Sequence, residues 1–270
     1  RFFLVPKESA AYVPCGYEEE PYAEAGDMLI YRNLHALPLG YFYDSFLDKK
    51  DWDSLNIGDK MYNQLRGCLI NTPDEALFKD FQNIEPERMA SEERYDPDRA
   101  YSSSKDEELY YVAEGISYAS DWEEAGMNVY YGDREKHWEY KTKYSPTYTG
   151  INSFAVQMSS GAEKTESIIE TLDDPDITVA SASVVKLPLQ KAYAQLDLLK
   201  AHAIENITVQ DNRICGMASL DRPMILQLAV PYSSHWHVTI DGEEGRIYCS
   251  GVYMAVPMQA GEHSVEFAYR

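Results

Sequence analysis

The last part of the chain alternates apolar and polar residues with a period of two, and this pattern constrains the fold more than any other feature. The residues that share a side are Leu226, Leu228 and Val230; Trp236, Val238 and Ile240; Val252, Met254 and Val256; and Val265, Phe267 and Tyr269. Side chains alternate between the two faces of a β-strand, so the pattern predicts antiparallel strands with one buried face. Asp241-Gly242 predicts a two-residue type I′ turn, because that turn needs positive φ at both central positions.

Strand-like segments also fill most of the remaining chain. They are rich in aromatic and β-branched residues and are separated by Pro, Gly and Asp. Examples are RFFLVP, DMLIYRN and LGYFYDSFL near the start and ELYYVAEGI, INSFAVQMS and ITVASASVV further on. The sequence therefore predicts a mainly β fold, of the β-sandwich or jelly-roll kind, with a few short helices and an N-terminal α+β segment.

Three short helices are expected from apolar spacing and capping residues. Met61, Leu65, Cys68 and Leu69 recur at helical spacing, which predicts one helix. In TPDEALFKDF, Thr72 is the predicted N-cap and Glu75 completes a capping box, so that a second helix is expected before about residue 81. A third is predicted near 189–201, where Leu189, Ala192, Tyr193, Leu196 and Leu199 share one face.

The segment 84–108 is highly charged, poor in large apolar residues and broken by Pro, which is typical of a linker or an exposed loop. We therefore predict an N-terminal α+β segment over 1–95. A β-sandwich region follows over 96–270, with the helix near 189–201 and C-terminal hairpins.

Charge and cysteine content exclude some functions. The 24 Lys and Arg against 45 Asp and Glu give a net charge of −21, which repels phosphate backbones and argues against nucleic acid as a partner. No apolar run reaches the length needed to cross a bilayer, so a soluble region is expected. The four cysteines lie far apart, which argues against a structural zinc site. Four buried free thiols are expected, with Cys215 and Cys249 as the alternative pair.

Aromatic and imidazole side chains are the candidate binding groups. The chain has 22 tyrosines, and YYGDREKHWEY places Tyr130, Tyr131, Trp138 and Tyr140 among charged residues, a composition that suits stacking on sugars. His235 and His237 lie on the strand face opposite Trp236. A metal site would need a third ligand, so we expect exposed histidines, which join the candidate sugar-binding set, and neither a metal nor another cofactor.

Two stretches carry a family signature. The matched residues are Tyr31, Asn33, Ala36, Leu37, Pro38, Gly40 and Tyr41 in the first stretch, and Pro231, Tyr232, Trp236, Asp241, Gly242, Gly261 and His263 in the second. In these residues the chain resembles YfhO-type bacterial membrane proteins. It departs from their pattern at His235, where Gly is usual, and at His237, where Lys is frequent. The matched residues themselves are expected to support the fold.

The resemblance implies much about function. Family members resemble C-type membrane glycosyltransferases, with a lipid-linked sugar donor and acidic catalytic residues near the first membrane helix. This chain would then be an extracytoplasmic accessory region without catalytic residues of its own. Its implied partners are the membrane-embedded domain of the same protein and a cell-wall polysaccharide such as teichoic acid.

Two other functions compete with this interpretation. One is a free-standing carbohydrate-binding or adhesive surface module with no enzymatic activity. The other is a secreted glycoside hydrolase that uses two carboxylates, although the sequence does not select a pair among its many acids.

Overall fold

The fold is mainly β, as predicted. The computed structural model describes residues 1–13, 16–104, 106–119, 121–131, 134–158, 165–173 and 176–270, and strands dominate these ranges. In chain order the strands are β1 (Phe2–Pro6), β2 (Ala23–Ala25), β3 (Met28–Arg32), β4 (Gly40–Tyr43), β5 (Ser45–Asp48), β6 (Cys68–Ile70), β7 (Gln82–Asn83), β8 (Ser91–Arg94), β9 (Ala100–Ser103), β10 (Glu107–Glu114), β11 (Ser117–Tyr118), β12 (Glu124–Tyr131), β13 (Arg134–Lys141), β14 (Ser153–Gln157), β15 (Thr165–Asp173), β16 (Ile177–Thr178), β17 (Ser181–Pro188), β18 (Glu205–Gln210), β19 (Arg213–Leu220), β20 (Met224–Pro231), β21 (Trp236–Ile240), β22 (Glu243–Glu244), β23 (Tyr248–Ser250), β24 (Tyr253–Met258) and β25 (Gly261–Tyr269).

The helices are short. They are α1 (Lys49–Trp52), α2 (Ile57–Arg66), α3 (Glu75–Phe78) and α4 (Leu189–Ala201), with a 3₁₀ helix at Lys7–Tyr12. The helix predicted near 189–201 is confirmed by α4. Side-chain caps begin two of the others, because the Asp48 and Asp74 carboxylates accept hydrogen bonds from the Lys50 and Ala76 amides at 3.0 Å.

The contacts divide the chain into two units, each made of separate stretches of sequence. The first unit comprises Arg1–Leu34, Asn56–Gly58 and Met89–Gln190, and the second comprises His35–Leu55, Asp59–Arg88 and Lys191–Arg270. The domain boundary predicted at residue 95 stays a prediction.

A β-sandwich forms the core of the first unit. Its two four-stranded sheets have the orders β14-β10-β17-β8 and β13-β12-β15-β9. Leu109, Tyr111 and Val184 from one sheet pack with Ala125 and Val129 from the other. The unit also contains a three-stranded sheet, β1-β3-β2, and the pair β11-β16.

The second unit has three layers. A five-stranded antiparallel sheet, β18-β19-β25-β21-β22, packs on a four-stranded antiparallel sheet, β23-β24-β20-β4. The other face of the four-stranded sheet packs on a layer that contains the parallel strands β6-β5-β7 and α3. The four-stranded sheet, hereafter the middle sheet, is therefore covered on both faces.

Burial on both faces explains the almost continuously apolar strand β20, MILQLAVP. Leu226 and Leu228 point into the core shared with the five-stranded sheet, and Ile225 points into the core of the parallel layer. Phe42 and Tyr43 on the neighbouring β4 divide between the same two cores. The middle-sheet strands β4, β20 and β24 thus supply two cores through simple alternation.

The predicted hairpin turn is confirmed. Ile240 pairs with Glu243, and Asp241 and Gly242 between them have φ of 54° and 85°. The residues predicted to share one buried strand face were also correct, except at the ends of two groups. Val252 is 67% exposed because it lies in the turn before β24, and Tyr269, which ends the last strand, is 43% exposed.

Several local predictions were wrong. Cys68 and Leu69 do not continue a helix, since α2 ends at Arg66 and Cys68–Ile70 forms the buried strand β6. Asp74, rather than Thr72, caps α3. The segment 84–108, predicted to be a linker or an exposed loop, contains β8, β9 and the start of β10.

The cysteine prediction was partly right. Cys68, Cys215 and Cys249 are free, so that the alternative pair does not form, but of these three only Cys68 is fully buried. Cys15 lies outside the described residues.

Among the helices of the described ranges, none has both the length and the apolar character needed to cross a membrane.

We expect Leu228→Ala to lower the free energy of unfolding by about 2–5 kcal/mol, because the side chain is fully buried between two sheets. Chemical denaturation measures the change. Leu198→Ala is the control, since Leu198 is 55% exposed on α4 and its loss should change stability by at most about 0.5 kcal/mol. Equal effects of the two substitutions would contradict the three-layer arrangement.

Candidate functional site

Gln227 is a polar residue in the centre of the otherwise apolar strand β20. Its side chain is buried, with 7% exposure, so its amide needs partners within the protein. The Nε2 atom donates to Tyr41 Oη at 2.9 Å, and Oε1 accepts from Ser250 Oγ at 2.7 Å. Three of the four strands of the middle sheet, β4, β20 and β23, thus contribute to one polar network.

A cavity of about 340 Å³ lies over this network, on the middle-sheet face that meets the parallel layer. We call it the Tyr41 cavity. Its lining residues are Tyr41, Tyr43, Lys49, Trp52, Gln64, Leu65, Leu69, Gln227, Ser250, Gly251, Val252 and Tyr253. The two tyrosines of β4, with Gln227 and Ser250, are buried and form its floor, whereas Gln64, Val252 and Tyr253 are exposed at its rim.

The tyrosines of the floor are uncharged hydrogen-bonding groups. Tyr41 and Tyr43 lie two residues apart on one strand face, with their rings edge to face and 5.6 Å between centroids. Tyr43 Oη donates to the Gln64 carbonyl at 2.6 Å. Burial raises the pKa of both phenols, so both remain neutral near pH 7.

Cys68 completes the buried polar group. Its Sγ lies 3.4 Å from Ser250 Oγ and 3.6 Å from Gln227 Oε1. Burial raises the pKa of this thiol to about 12. Because only the thiolate is a strong nucleophile, Cys68 supports the network rather than a reaction.

The rim comes from a short helix and a tight turn. On α1, Trp52 is half-buried and Lys49 is the one charged residue among the described lining residues; its ammonium pairs with Asp53 at 2.5 Å. Gly251, with a positive φ of 61°, forms the β23–β24 turn, and its amide donates to Asn71 Oδ1 at 3.2 Å. This bond ties the turn to the chain just beyond β6.

The cavity offers aromatic surface and neutral hydrogen-bonding groups around a space large enough for a small molecule. Aromatic rings stack on apolar faces, while amides and hydroxyls select ligand polar groups by position. The arrangement suits an uncharged, hydroxyl-rich ligand. Only Tyr41 belonged to the signature residues, and Gln227 was missed, although a glutamine inside a buried apolar run is the signal that could have found it.

The predicted aromatic group on the β12–β13 hairpin is not a single surface among the side chains described. Trp138 stacks on Phe154 with 4.0 Å between ring centroids and packs against the sandwich core. Tyr130 lies on the opposite hairpin face, where its hydroxyl donates to Glu135 Oε1 at 3.1 Å. The side chains of Tyr131 and Tyr140 lie outside the described residues. Sugar binding by this group stays a prediction.

The two predicted histidines are exposed. His235 precedes β21, where its Nδ1 lies 3.1 Å from Ser233 Oγ, and His237 pairs with Ala268 within the sheet. Trp236 between them is half-buried and packs edge to face on Tyr269. Within the described ranges, no three metal-ligating side chains converge.

Four signature residues meet at the β21–β22 turn. His263 Nδ1 lies 2.7 Å from Asp241 Oδ2, and Ser264 donates its amide to Asp241 Oδ1 at 2.7 Å. Gly242 supplies the turn, and Gly261, with φ of 137°, begins the strand that carries His263. This cluster, the Asp241 lock, fastens the turn to β25.

Several of the remaining signature residues make contacts within the fold. Tyr31 is buried in the small three-stranded sheet, and Asn33 forms a β-bridge with Tyr17. Leu37 packs on the core of the parallel layer, three residues before Gly40. Others join the ends of β20 and β24 in the middle sheet, where Pro231 opposes Tyr253 and the Tyr232 amide donates to the Val252 carbonyl at 2.9 Å.

The fold and the cavity define a strand-rich protein of two β-sandwich units, the second of which carries a cavity with a polar floor and an aromatic rim. Residues 14–270 match the sequence profile of the family described as bacterial membrane protein YfhO. The chain therefore belongs to the YfhO family of bacterial membrane proteins. A search of curated proteins finds no match.

We expect Cys68 to resist alkylation by iodoacetamide at pH 8 in the folded protein, because its thiol is buried and its pKa is about 12. Peptide mapping by mass spectrometry after brief labelling identifies the modified cysteines. The control is the Cys68→Ser variant. It should be alkylated at as many cysteines as wild type when folded, and at one cysteine fewer than wild type in urea. Native labelling of Cys68 would contradict the closed floor.

The Asp241 lock should make stability depend on pH. The His263 imidazole, followed by the Ser264 amide, holds the pKa of Asp241 below its ordinary value. A lowered pKa gives a contribution that is present above the unfolded pKa, about 3.9, and is lost as pH falls through the folded value. Wild type should therefore lose more stability than Asp241→Asn between about pH 5 and pH 2.

Urea denaturation midpoints across this range measure the difference. The matched control is Asp211→Asn, in the two-residue turn between β18 and β19, which should keep the acid dependence of wild type. Parallel acid profiles for wild type and Asp241→Asn would show that the lock does not act through the Asp241 charge.

Proposed function

We propose that this chain is an extracytoplasmic accessory region of a membrane-associated glycosyltransferase and that its Tyr41 cavity binds part of a glycan acceptor. The observation that carries the proposal is the cavity, in which buried, uncharged polar groups lie beneath an aromatic rim. Sugars present hydroxyl groups and apolar ring faces, and the cavity has complementary groups for both.

Family membership supports the membrane association. The net charge of −21 supports a role beside the membrane rather than on nucleic acid or on an anionic lipid surface. In this proposal the acceptor is a cell-wall polymer, such as a teichoic acid, and the partner is the membrane-embedded part of the same protein. Catalysis takes place in that part, and this chain positions the acceptor.

The uncharged floor of the cavity restricts which part of such a polymer can bind there. A phosphate group would need strong cationic donors, and the one cation among the described lining residues, Lys49, is already paired with Asp53. In this proposal the part of the polymer that enters the cavity is a neutral sugar substituent or repeating sugar, rather than a backbone phosphodiester.

Calorimetric titration tests this proposal with three defined probes: a glycosylated glycerol-phosphate oligomer, the same oligomer without sugar, and a peptidoglycan disaccharide. We expect saturable binding of a sugar-bearing probe and none of the bare oligomer. Trp52→Ala and Tyr253→Ala should each weaken binding about tenfold, equivalent to about 1.4 kcal/mol.

The matched control is Tyr22→Ala, which removes a tyrosine that is 58% exposed in the first unit. It should leave the affinity unchanged. Absence of saturable binding at millimolar concentration, or equal loss in the control, would contradict acceptor binding by the Tyr41 cavity.

A further inference from the structure

The segment 142–148 in the first unit has an inverted burial pattern. Its small hydroxyl residues are buried, with Thr142 at 2% and Ser145 at 8% exposure, whereas Tyr144 and Tyr148 are 46% and 42% exposed. Tyrosine is ordinarily the more buried type, and serine and threonine the more exposed. The backbone here turns its hydroxyls inward and its rings outward.

Hydrogen bonds hold this arrangement in place. The Thr142 hydroxyl donates to the Trp122 carbonyl at 2.5 Å and accepts from the Tyr144 amide at 3.3 Å. The Ser145 carbonyl accepts from the Tyr148 amide at 3.1 Å, and the Ser145 amide donates to the Thr142 carbonyl at 3.0 Å. The bonds from Thr142 therefore connect two segments that each present aromatic side chains.

Trp122 is the most exposed large side chain of the group, at 73%. An indole left in water forgoes the stabilisation that burial would give. The hydrogen bond from Thr142 to the Trp122 carbonyl brings the backbone of Trp122 next to the segment that carries Tyr144 and Tyr148, and exposed rings on adjoining segments indicate a binding surface. We call Trp122, Tyr144 and Tyr148 the Trp122 platform.

The charges around the platform restrict its ligand. The exposed residues Asp121 and Glu123 flank Trp122, and the nearby Lys141 ammonium is engaged by Glu124 and Glu139. Lys143 lies over the Tyr144 ring, with its Nζ 5.0 Å from the centroid. Carboxylates accept hydrogen bonds from hydroxyl groups and repel phosphates and anionic lipid headgroups.

We propose that the Trp122 platform is a second glycan-binding site, which stacks on the sugar rings of an uncharged, hydroxyl-rich chain. The choice of ligand class rests on the proposed function, but the site is separate from the Tyr41 cavity and belongs to the other unit. Asp121 and Glu123 accept hydrogen bonds from the sugar hydroxyls beside the indole.

The four tryptophans of the chain allow one experiment to separate the two sites. Trp52 lines the Tyr41 cavity, Trp122 is on the platform, and Trp138 and Trp236 pack against the two sandwich cores. We would label the tryptophans with ¹⁵N, assign the four indole signals by single Trp→Phe substitutions, and titrate the protein with chitohexaose and with maltohexaose.

We expect the Trp122 signal to shift saturably with at least one hexasaccharide, while those of Trp138 and Trp236 stay in place. The Trp122 response should persist in Trp52→Ala. Tyr144→Ser and Tyr148→Ser should each weaken it about three- to tenfold, the scale of one aromatic contact. The control is Tyr22→Ser, since Tyr22 lies elsewhere in the unit and is 58% exposed. This substitution should leave the response of the Trp122 signal unchanged.

The possible failures are distinguishable. A shift of the Trp52 signal alone would overturn the platform and leave the proposed function intact. If neither the Trp52 nor the Trp122 signal shifted, the platform and the proposed function would both be overturned. A Trp122 response to phosphatidylglycerol–phosphatidylcholine vesicles in place of the hexasaccharides would overturn the glycan assignment in favour of a lipid contact.

Discussion

Coverage of the middle sheet on both faces is the constraint on which the second unit depends. A strand that is buried on two sides has no face for unpaired polar groups, and β20 therefore consists almost wholly of apolar residues. The exception, Gln227, is accommodated because Tyr41 and Ser250 satisfy its amide. The same network forms the floor of the cavity. The buried polar group around Gln227, which needs partners from other strands, therefore also forms the candidate site.

Short-range patterns predicted much of the fold. Alternation identified the strands around Val238 and Val265, because one face of the five-stranded sheet is buried and the other meets water. The Asp241-Gly242 pair correctly predicted the turn, because the positive φ angles of such a turn depend only on these two adjacent residues. Both signals are local, and both were confirmed.

The failures involve long-range contacts. The apolar run Cys68–Ile70 fits a helix or a buried strand equally well, and its pairing with β5 decides between them. The partners of Gln227 come from strands far away in sequence, which no spacing rule brings together. The Trp122 platform was missed for a related reason, since the bonds that turn Thr142 inward lead to residues 122 and 123.

The order of the five-stranded sheet affects how the protein is made. β25, the last strand of the chain, lies at the sheet centre between β19 and β21. During synthesis on the ribosome, the sandwich of the second unit cannot close until β25 has emerged. The apolar faces of its earlier strands remain exposed until then. The first unit can close earlier, because its last strand, β17, which is also internal in its sheet, ends at Pro188. The second unit therefore keeps apolar strand faces exposed for longer during synthesis than the first.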